Sequence, residues 1–288
     1  MSYLKENDPS KMSEFSYISD KILSAEFIND PFPHLEIENF LSEGHLSMVL
    51  DDKQIHFEEQ VDNINLLQTL LNKKYEIQNF PGCCTDPWDY LCRLENDEWP
   101  QDIKGTPIES YGITFRLSSY KNDDIENLIK YLNGAEFKSA LEEKFNIQKE
   151  NSIITAIQKN LTKYEITPHP DTKRKALTYL LNINKDDSVE EYEVHTHLLK
   201  FKKEHEHIYK IWDETKNLDR CWVPWYLCDS VKRVRKNNSI VLFAPTSHTL
   251  HAIKLDYPHL KFQRTQIYGN LMYDNEPKQP TMDYKTLL

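Results

Sequence analysis

The sequence predicts an α+β protein, a mainly β core with supporting helices. Three observations predict it. Hydrophobic residues make up 39% and aromatics 11% of 288 residues, enough to bury one large core or one core with a supporting layer. Up to about residue 150 the apolar spacing is helical. From about residue 152 the period changes to two, in β-branched or aromatic runs separated by polar connections. Helices first and strands afterwards point to a sheet with helices packed on it.

In chain order, residues 1–30 are polar with a weak helical pattern at Ile18, Ile22 and Leu23. PFPHLEIENFLS (31–42) alternates at Leu35 and Ile37 before Phe40, a strand ending in a turn. Ser42 is placed to cap a short helix from Glu43. Leu66, Leu67, Leu70 and Leu71 have helical spacing, whereas residues 80–110 are rich in Pro, Gly, Asp and Trp and read as a long irregular connection. A helix over 124–133 is capped by Asn122 or Asp123 and stopped by Gly134. A second, over 135–145, carries Phe137, Leu141 and Phe145 on one face. SIITAIQKNLTKYEI, ALTYLLNI, SIVLFA and TQIYGNLMY are the strand runs. HLLKFKKEHEHIYKIW breaks the series, so 198–238 reads as an insertion, part helix and part loop. The expected organisation is an N-terminal support region 1–150, a β core 151–275 and a polar surface tail 276–288, all in one structural domain.

Composition excludes several function classes. A net charge of −11 repels a phosphate backbone, so no nucleic-acid partner is expected, and Lys232, Arg233, Arg235 and Lys236 read as a solvated turn. With six glycines the chain assembles neither a P-loop nor a G-x-G-x-x-G. Its apolar runs fall far short of the ~20 residues that span a bilayer, and the polar N-terminus lacks the layout of a signal peptide. A cytoplasmic protein without a membrane partner is expected. The five cysteines, at 83, 84, 92, 221 and 228, are odd in number and lack C-x-x-C spacing, which suits free thiols rather than a zinc site.

The string TPHPDTKRKALTYLLN (167–182) carries the chemistry. On a strand, residues two apart share a face, so His169 and Asp171 can reach one point while Pro170 points away. Downstream, SIVLFA and a polar turn lead to His251, and thirteen residues later Arg264 opens another strand. Two histidines and one carboxylate on one face of a metal leave three positions open, the arrangement of non-haem iron(II) oxygenases. A chelating co-substrate fills two of them and dioxygen the third. An arginine on a neighbouring strand offers a planar fork for the far carboxylate of a dicarboxylic acid.

Other residues compete for these roles. His248 could also ligate, although the H-A-I leading into a strand favours His251. His195, His197, His205 and His207 have spacings that permit a second metal cluster but read as surface or pocket-rim histidines. Trp222, Trp225 and Tyr226 either pack the insertion onto the core or line a substrate mouth. Lys173, Arg174 and Lys175 read as a solvated turn, or as a device that steers an anion.

With H-P-D at 169–171, T-K-R-K-A-L-T-Y-L-L-N after it, H-A-I at 251–253 and R-T-Q at 264–266, the chain resembles the 2-oxoglutarate/iron(II) oxygenase superfamily in its prolyl-4-hydroxylase-like branch. The resemblance extends over roughly 31–273, through PFPHLEIENFLSE and LNGAEFKSALEEKFNI. It implies a double-stranded β-helix, or jelly-roll, core, with iron(II) on His169, Asp171 and His251. Arg264 would pair with the C5 carboxylate of 2-oxoglutarate, and Tyr179 would hydrogen-bond the same group. Dioxygen would convert the oxoacid to succinate and CO2, and a C–H bond of a small molecule, a saccharide or a peptide side chain would be hydroxylated. Relatives that halogenate replace the carboxylate, so Asp171 implies oxygenation. The pattern departs at Val194-His195-Thr196, where many relatives have a Gly pair, at H-A for the usual H-G or H-S, and at Gln266 for a serine. The contrasting classes are a cupin-like jelly roll that binds metal or sugar without redox chemistry, and a non-catalytic interaction domain. Oligomeric state is left open.

Overall fold

Helices form in the protein where the chain supplies both a cap and an apolar stripe. The computed structural model describes residues 14–98 and 106–288. Its helices are α1 (Ser16–Ser24), α2 (Glu43–Asp51), α3 (Asn63–Asn72), α4 (Pro87–Glu95), α5 (Asp123–Leu132), α6 (Ala135–Phe145) and α7 (His207–Glu214). Ser42, Asp62, Asp86 and Asn122 accept hydrogen bonds from the first-turn amides of α2 to α5. Each such cap contributes about 1 kcal/mol. Gly134 follows the end of α5, as expected, and also serves as the N-cap of α6, which ends on Asn146 at φ 52°. The connection 80–110, expected to be irregular, contains α4: the Asp86-Pro87 pair that reads as loop chemistry is also a helix start. No helix among the described residues is long and apolar enough to cross a membrane.

The strands are β1 (Leu35–Ile37), β2 (Tyr75–Ile77), β3 (Thr114–Leu117), β4 (Asn151–Asn160), β5 (Glu165–His169), β6 (Lys175–Asn182), β7 (Thr196–Phe201), β8 (Cys228–Val234), β9 (Ile240–Phe243), β10 (His251–Lys254) and β11 (Arg264–Tyr273). They form a seven-stranded sheet, β1-β9-β6-β11-β4-β3-β2, and a four-stranded one, β5-β10-β7-β8. Neighbouring strands pair antiparallel. Two strands, β7 and β8, occupy the ends of the stretch 198–238 that the sequence presents as an insertion; the inserted part is the segment with α7 between them. The tail also differs from expectation, because Met282 and Leu287 are buried against Ile208 and Trp212 of α7.

Alternation along the strands of the large sheet sorts side chains into two environments. On β6 and β11, Leu177, Tyr179, Leu181, Ile267 and Leu271 join the main core with Leu128, Leu132, Phe137 and Leu141 of α5 and α6. Thr178, Leu180, Arg264, Gln266 and Tyr268 face the other way and line a cavity shared with His169, Thr196 and His251 of the small sheet. Leu180, Val241 and Phe243 of one sheet pack against Leu198 and Val234 of the other.

Candidate active site

Register places the two histidines. His251 on β10 lies directly opposite His169 at the end of β5, and their ring centroids are 4.4 Å apart. Strand β5 ends at His169, so Asp171 sits just beyond it, in the turn before β6. Its carboxylate is aimed from β6: Thr178 Oγ1 donates to Oδ2 at 2.5 Å, and Lys175 Nζ donates to Oδ1 at 2.6 Å. The result is one ligand atom each from His169, Asp171 and His251, all within 4.8 Å of one another. Among the described residues no other group of three histidines, cysteines or carboxylates comes together in this way.

The donor chemistry of the cluster fits a divalent metal. His169 Nδ1 lies 2.8 Å from the Thr167 carbonyl and His251 Nδ1 lies 3.1 Å from the Thr249 carbonyl. These bonds fix each Nδ1 as the protonated nitrogen and leave Nε2 as the free lone pair. His251 Nε2 is 3.8 Å from Asp171 Oδ2. Burial, reinforced by His251, lowers the His169 imidazole to about 3, and burial also lowers His251, so both are neutral and ligand-competent. For Asp171 burial favours the neutral acid, but the adjoining Lys175 ammonium outweighs it and holds the carboxyl well below the usual range.

Arg264 lines the same cavity and is 3% exposed. Its Nε donates to the Val194 carbonyl at 2.7 Å, one terminal nitrogen donates to Asn160 Oδ1 at 2.7 Å and the other to Thr196 Oγ1 at 3.2 Å. Among the described residues it forms no ion pair with a carboxylate. Burial lowers its guanidinium to about 10. A buried cation held only by neutral acceptors is electrostatically unfinished, and an anion is its natural complement.

Tyr179, expected beside that anion, is elsewhere. It is fully buried on the helix side of β6, edge-on to Phe137 and hydrogen-bonded to Thr155. The reason is the two-residue period: Thr178 and Leu180 face the cavity, so the side chain between them cannot. Tyr164, in the turn just before β5, and Tyr268 on β11 line the cavity instead.

The remaining histidines are not recruited. His248 stacks on Tyr209 at 4.1 Å and pairs with Asp213 at 3.8 Å. His197 Nδ1 is 2.8 Å from Ser230 Oγ, and His207 Nε2 is 3.1 Å from the Leu287 carbonyl. In the aromatic cluster Trp222 lines the cavity 5.9 Å from the His169 ring, Trp225 Nε1 donates to Glu165 at 2.7 Å, and Tyr226 is exposed. Lys175 is a wall of the site and Lys173 Nζ donates to the Thr215 and Leu218 carbonyls, so that run is not a solvated turn. Lys232, Arg233 and Lys236 are paired with Glu36, Glu193 and Glu38. All five cysteines are free thiols. Arg116 and Arg220, also in the cavity wall, carried no sequence signal.

No family model and no curated protein matches the chain. Among solved structures it is similar to a prolyl-4-hydroxylase from Pseudomonas putida, with 8% identity over 90% of this chain and 99% of the other, at a TM-score of 0.41. It is similar also to a prolyl hydroxylase from Trichoplax adhaerens in complex with a hypoxia inducible factor oxygen degradation domain peptide fragment, at 11% identity, 91% of each chain and a TM-score of 0.44. A 2OG-Fe(II) oxygenase family oxidoreductase from Burkholderia pseudomallei is similar at 9% identity, over 78% of this chain and 97% of that one, with a TM-score of 0.34.

Proposed function

We propose that the protein is an iron(II)- and 2-oxoglutarate-dependent oxygenase that hydroxylates a C–H bond of a small molecule, a saccharide or an amino-acid side chain, with succinate and CO2 as co-products. One observation carries this reading. His169, Asp171 and His251 converge in a cavity that also holds Arg264, a buried guanidinium without a carboxylate partner among the described residues. A jelly roll that only holds a metal or a sugar has no use for that second feature. The jelly-roll reading of β4 to β11 is supported by their alternation between the two sheets, broken only by the adjacent pair β7 and β8, in the orders β9-β6-β11-β4 and β5-β10-β7-β8.

His169, Asp171 and His251 would hold iron(II), which when bound with 2-oxoglutarate would activate dioxygen, the oxidant that both the oxoacid and the substrate C–H bond consume. The rest falls to the chain. Thr178 and Lys175 orient the Asp171 carboxylate, the Thr167 and Thr249 carbonyls fix the imidazole tautomers, and Arg264 would grip the far carboxylate of the oxoacid. Leu180 and Ile253 supply apolar wall to the cavity.

Anaerobic iron(II) and 2-oxoglutarate titration tests the reading. The unaltered protein gives a weak visible charge-transfer band and, on admission of air, succinate. Asp171→Ala loses both, since removing one of three ligands leaves the iron weakly held. Arg264→Lys keeps iron binding and weakens 2-oxoglutarate binding about tenfold or more, the worth of a charge-assisted bidentate contact. Succinate formed at the unaltered rate by Asp171→Ala would rule out this site.

A further inference from the structure

The charges lining the cavity do not balance. Four cations, Arg116, Lys175, Arg220 and Arg264, face three carboxylates, Glu109, Asp171 and Asp219. In a chain with a net charge of −11 this local excess stands against the global trend. An iron(II) dication and a 2-oxoglutarate dianion cancel each other, so loading the site leaves the excess in place. Burial pushes the Glu109 carboxyl up, which weakens the acidic side further.

The partners of each group show where the excess lies. Lys175 is paired with Asp171. Asp219 uses Oδ1 to accept the backbone N–H groups of Lys173 and Arg220, at 3.1 and 3.0 Å, rather than a guanidinium. Arg264 is the complement of the co-substrate. Two cations remain. Arg116 reaches from β3, donates to Gln158 Oε1 at 3.0 Å, and lies over the rings of Tyr268 and Phe80 at 4.8 and 5.3 Å. Arg220, on the segment between α7 and β8, donates to the Asp171 backbone carbonyl at 3.2 Å, which sets it beside the ligand cluster. Its Nε is buried without a hydrogen-bond partner, as is Nε1 of Trp222 two residues on. Neither Arg116 nor Arg220 forms an ion pair among the described residues, although Asp219, Asp213 and Asp171 lie near enough to favour the Arg220 charge.

We infer that the substrate is a small carboxylic acid whose carboxylate is held by Arg220 and Arg116, beside the His169–Asp171–His251 cluster. Fork-shaped guanidinium donors match a planar carboxylate, and an unpartnered indole N–H adds a neutral donor. The cavity, about 270 Å³, must accommodate the oxoacid as well, which keeps the substrate small. The inference rests on the oxygenase reading for the assignment of Arg264 to the co-substrate.

Calorimetric titration of the full chain tests it, metal-free and again anaerobically with iron(II) and 2-oxoglutarate. The probes are the free L-amino acids and short monocarboxylic acids, each beside its own carboxamide. At least one acid is expected to bind, with its carboxamide about tenfold or more weaker. Arg220→Gln and Arg116→Gln each weaken the acid about tenfold and leave the carboxamide unchanged, with folding checked by circular dichroism. Carboxamides binding as tightly as acids, no acid binding in either form, or acid affinity unchanged in both variants (an acid seated on Arg264 instead) would overturn it. If a variant fails to fold, the acid–carboxamide comparison on the unaltered protein still decides. The metal-free arm needs neither iron nor 2-oxoglutarate, so it separates a failure of this inference from a failure of the oxygenase reading.

Discussion

At the scale of single residues, the site depends on how Asp171 is aimed. Its two oxygens have different partners: Oδ1 takes the Lys175 ammonium, while Oδ2 takes the Thr178 hydroxyl and faces His251. A metal seated between the imidazoles would meet Oδ2, so Thr178 is the neighbour that sets the ligand's direction. Thr178→Val keeps the β-branched shape that the strand favours and deletes one donor. Iron(II) affinity in an anaerobic titration should fall about tenfold, the usual size of an effect transmitted through a ligand's hydrogen bond. An unchanged affinity would show that Lys175 alone fixes the carboxylate.

At the scale of elements, β6 shows why some of this could be read from the sequence and some could not. Asn122 and Ser42 announce their helices because a cap is a local signal. His169 and Asp171 are likewise close in sequence, and the strand run before His251 is apolar. Strand β6 is buried on both faces, however, so its sequence shows no alternation from which to learn that Thr178 and Leu180 face the cavity and Tyr179 does not. Strand β8 hides for the opposite reason: it is the exposed edge of the small sheet, and its charged residues look like loop. Arg116 and Arg220 are brought to the cavity only by topology. The placement of Tyr179 has its own consequence, for it lies opposite Gly269 on β11, and a Cβ there would come within 2.1 Å of the tyrosine ring. Gly269→Ala should destabilise the protein by about 1–3 kcal/mol in urea unfolding, and Tyr179→Leu should recover part of that loss in the double variant. Tyr179→Phe loses the bond to Thr155, costs about 1 kcal/mol, and leaves the half-saturating 2-oxoglutarate concentration unchanged. A raised half-saturation would return Tyr179 to the co-substrate.

At the scale of the whole molecule, the large sheet carries buried cations on both faces, and they serve different ends. On the cavity face Lys175 is paired with Asp171, whereas Arg116 and Arg264 form no ion pair among the described residues. On the helix face Lys159 is fully buried, with its ammonium donating to Thr265 Oγ1 at 2.6 Å and lying 5.5 and 5.7 Å from the rings of Phe57 and Tyr75. Burial, helped by Lys73, lowers its pKa from 10.5 to about 7. Between those two values the unfolded chain binds more protons than the folded one, so stability rises with pH across the window. Below about pH 7 both states are protonated and the penalty is felt in full. Lys159→Met keeps the volume of the side chain and removes the charge. Thr265 is not stranded by it, because its hydroxyl still donates to the Gln263 carbonyl at 2.7 Å. The variant should therefore be more stable at pH 7, by about 1–4 kcal/mol in denaturant unfolding. Its advantage should shrink steadily as the pH is raised towards 10. A variant less stable than the parent at pH 7 would mean that the aromatic and hydroxyl contacts of the ammonium outweigh its desolvation, and that the helix face of the sheet, like the cavity face, is built to hold a charge.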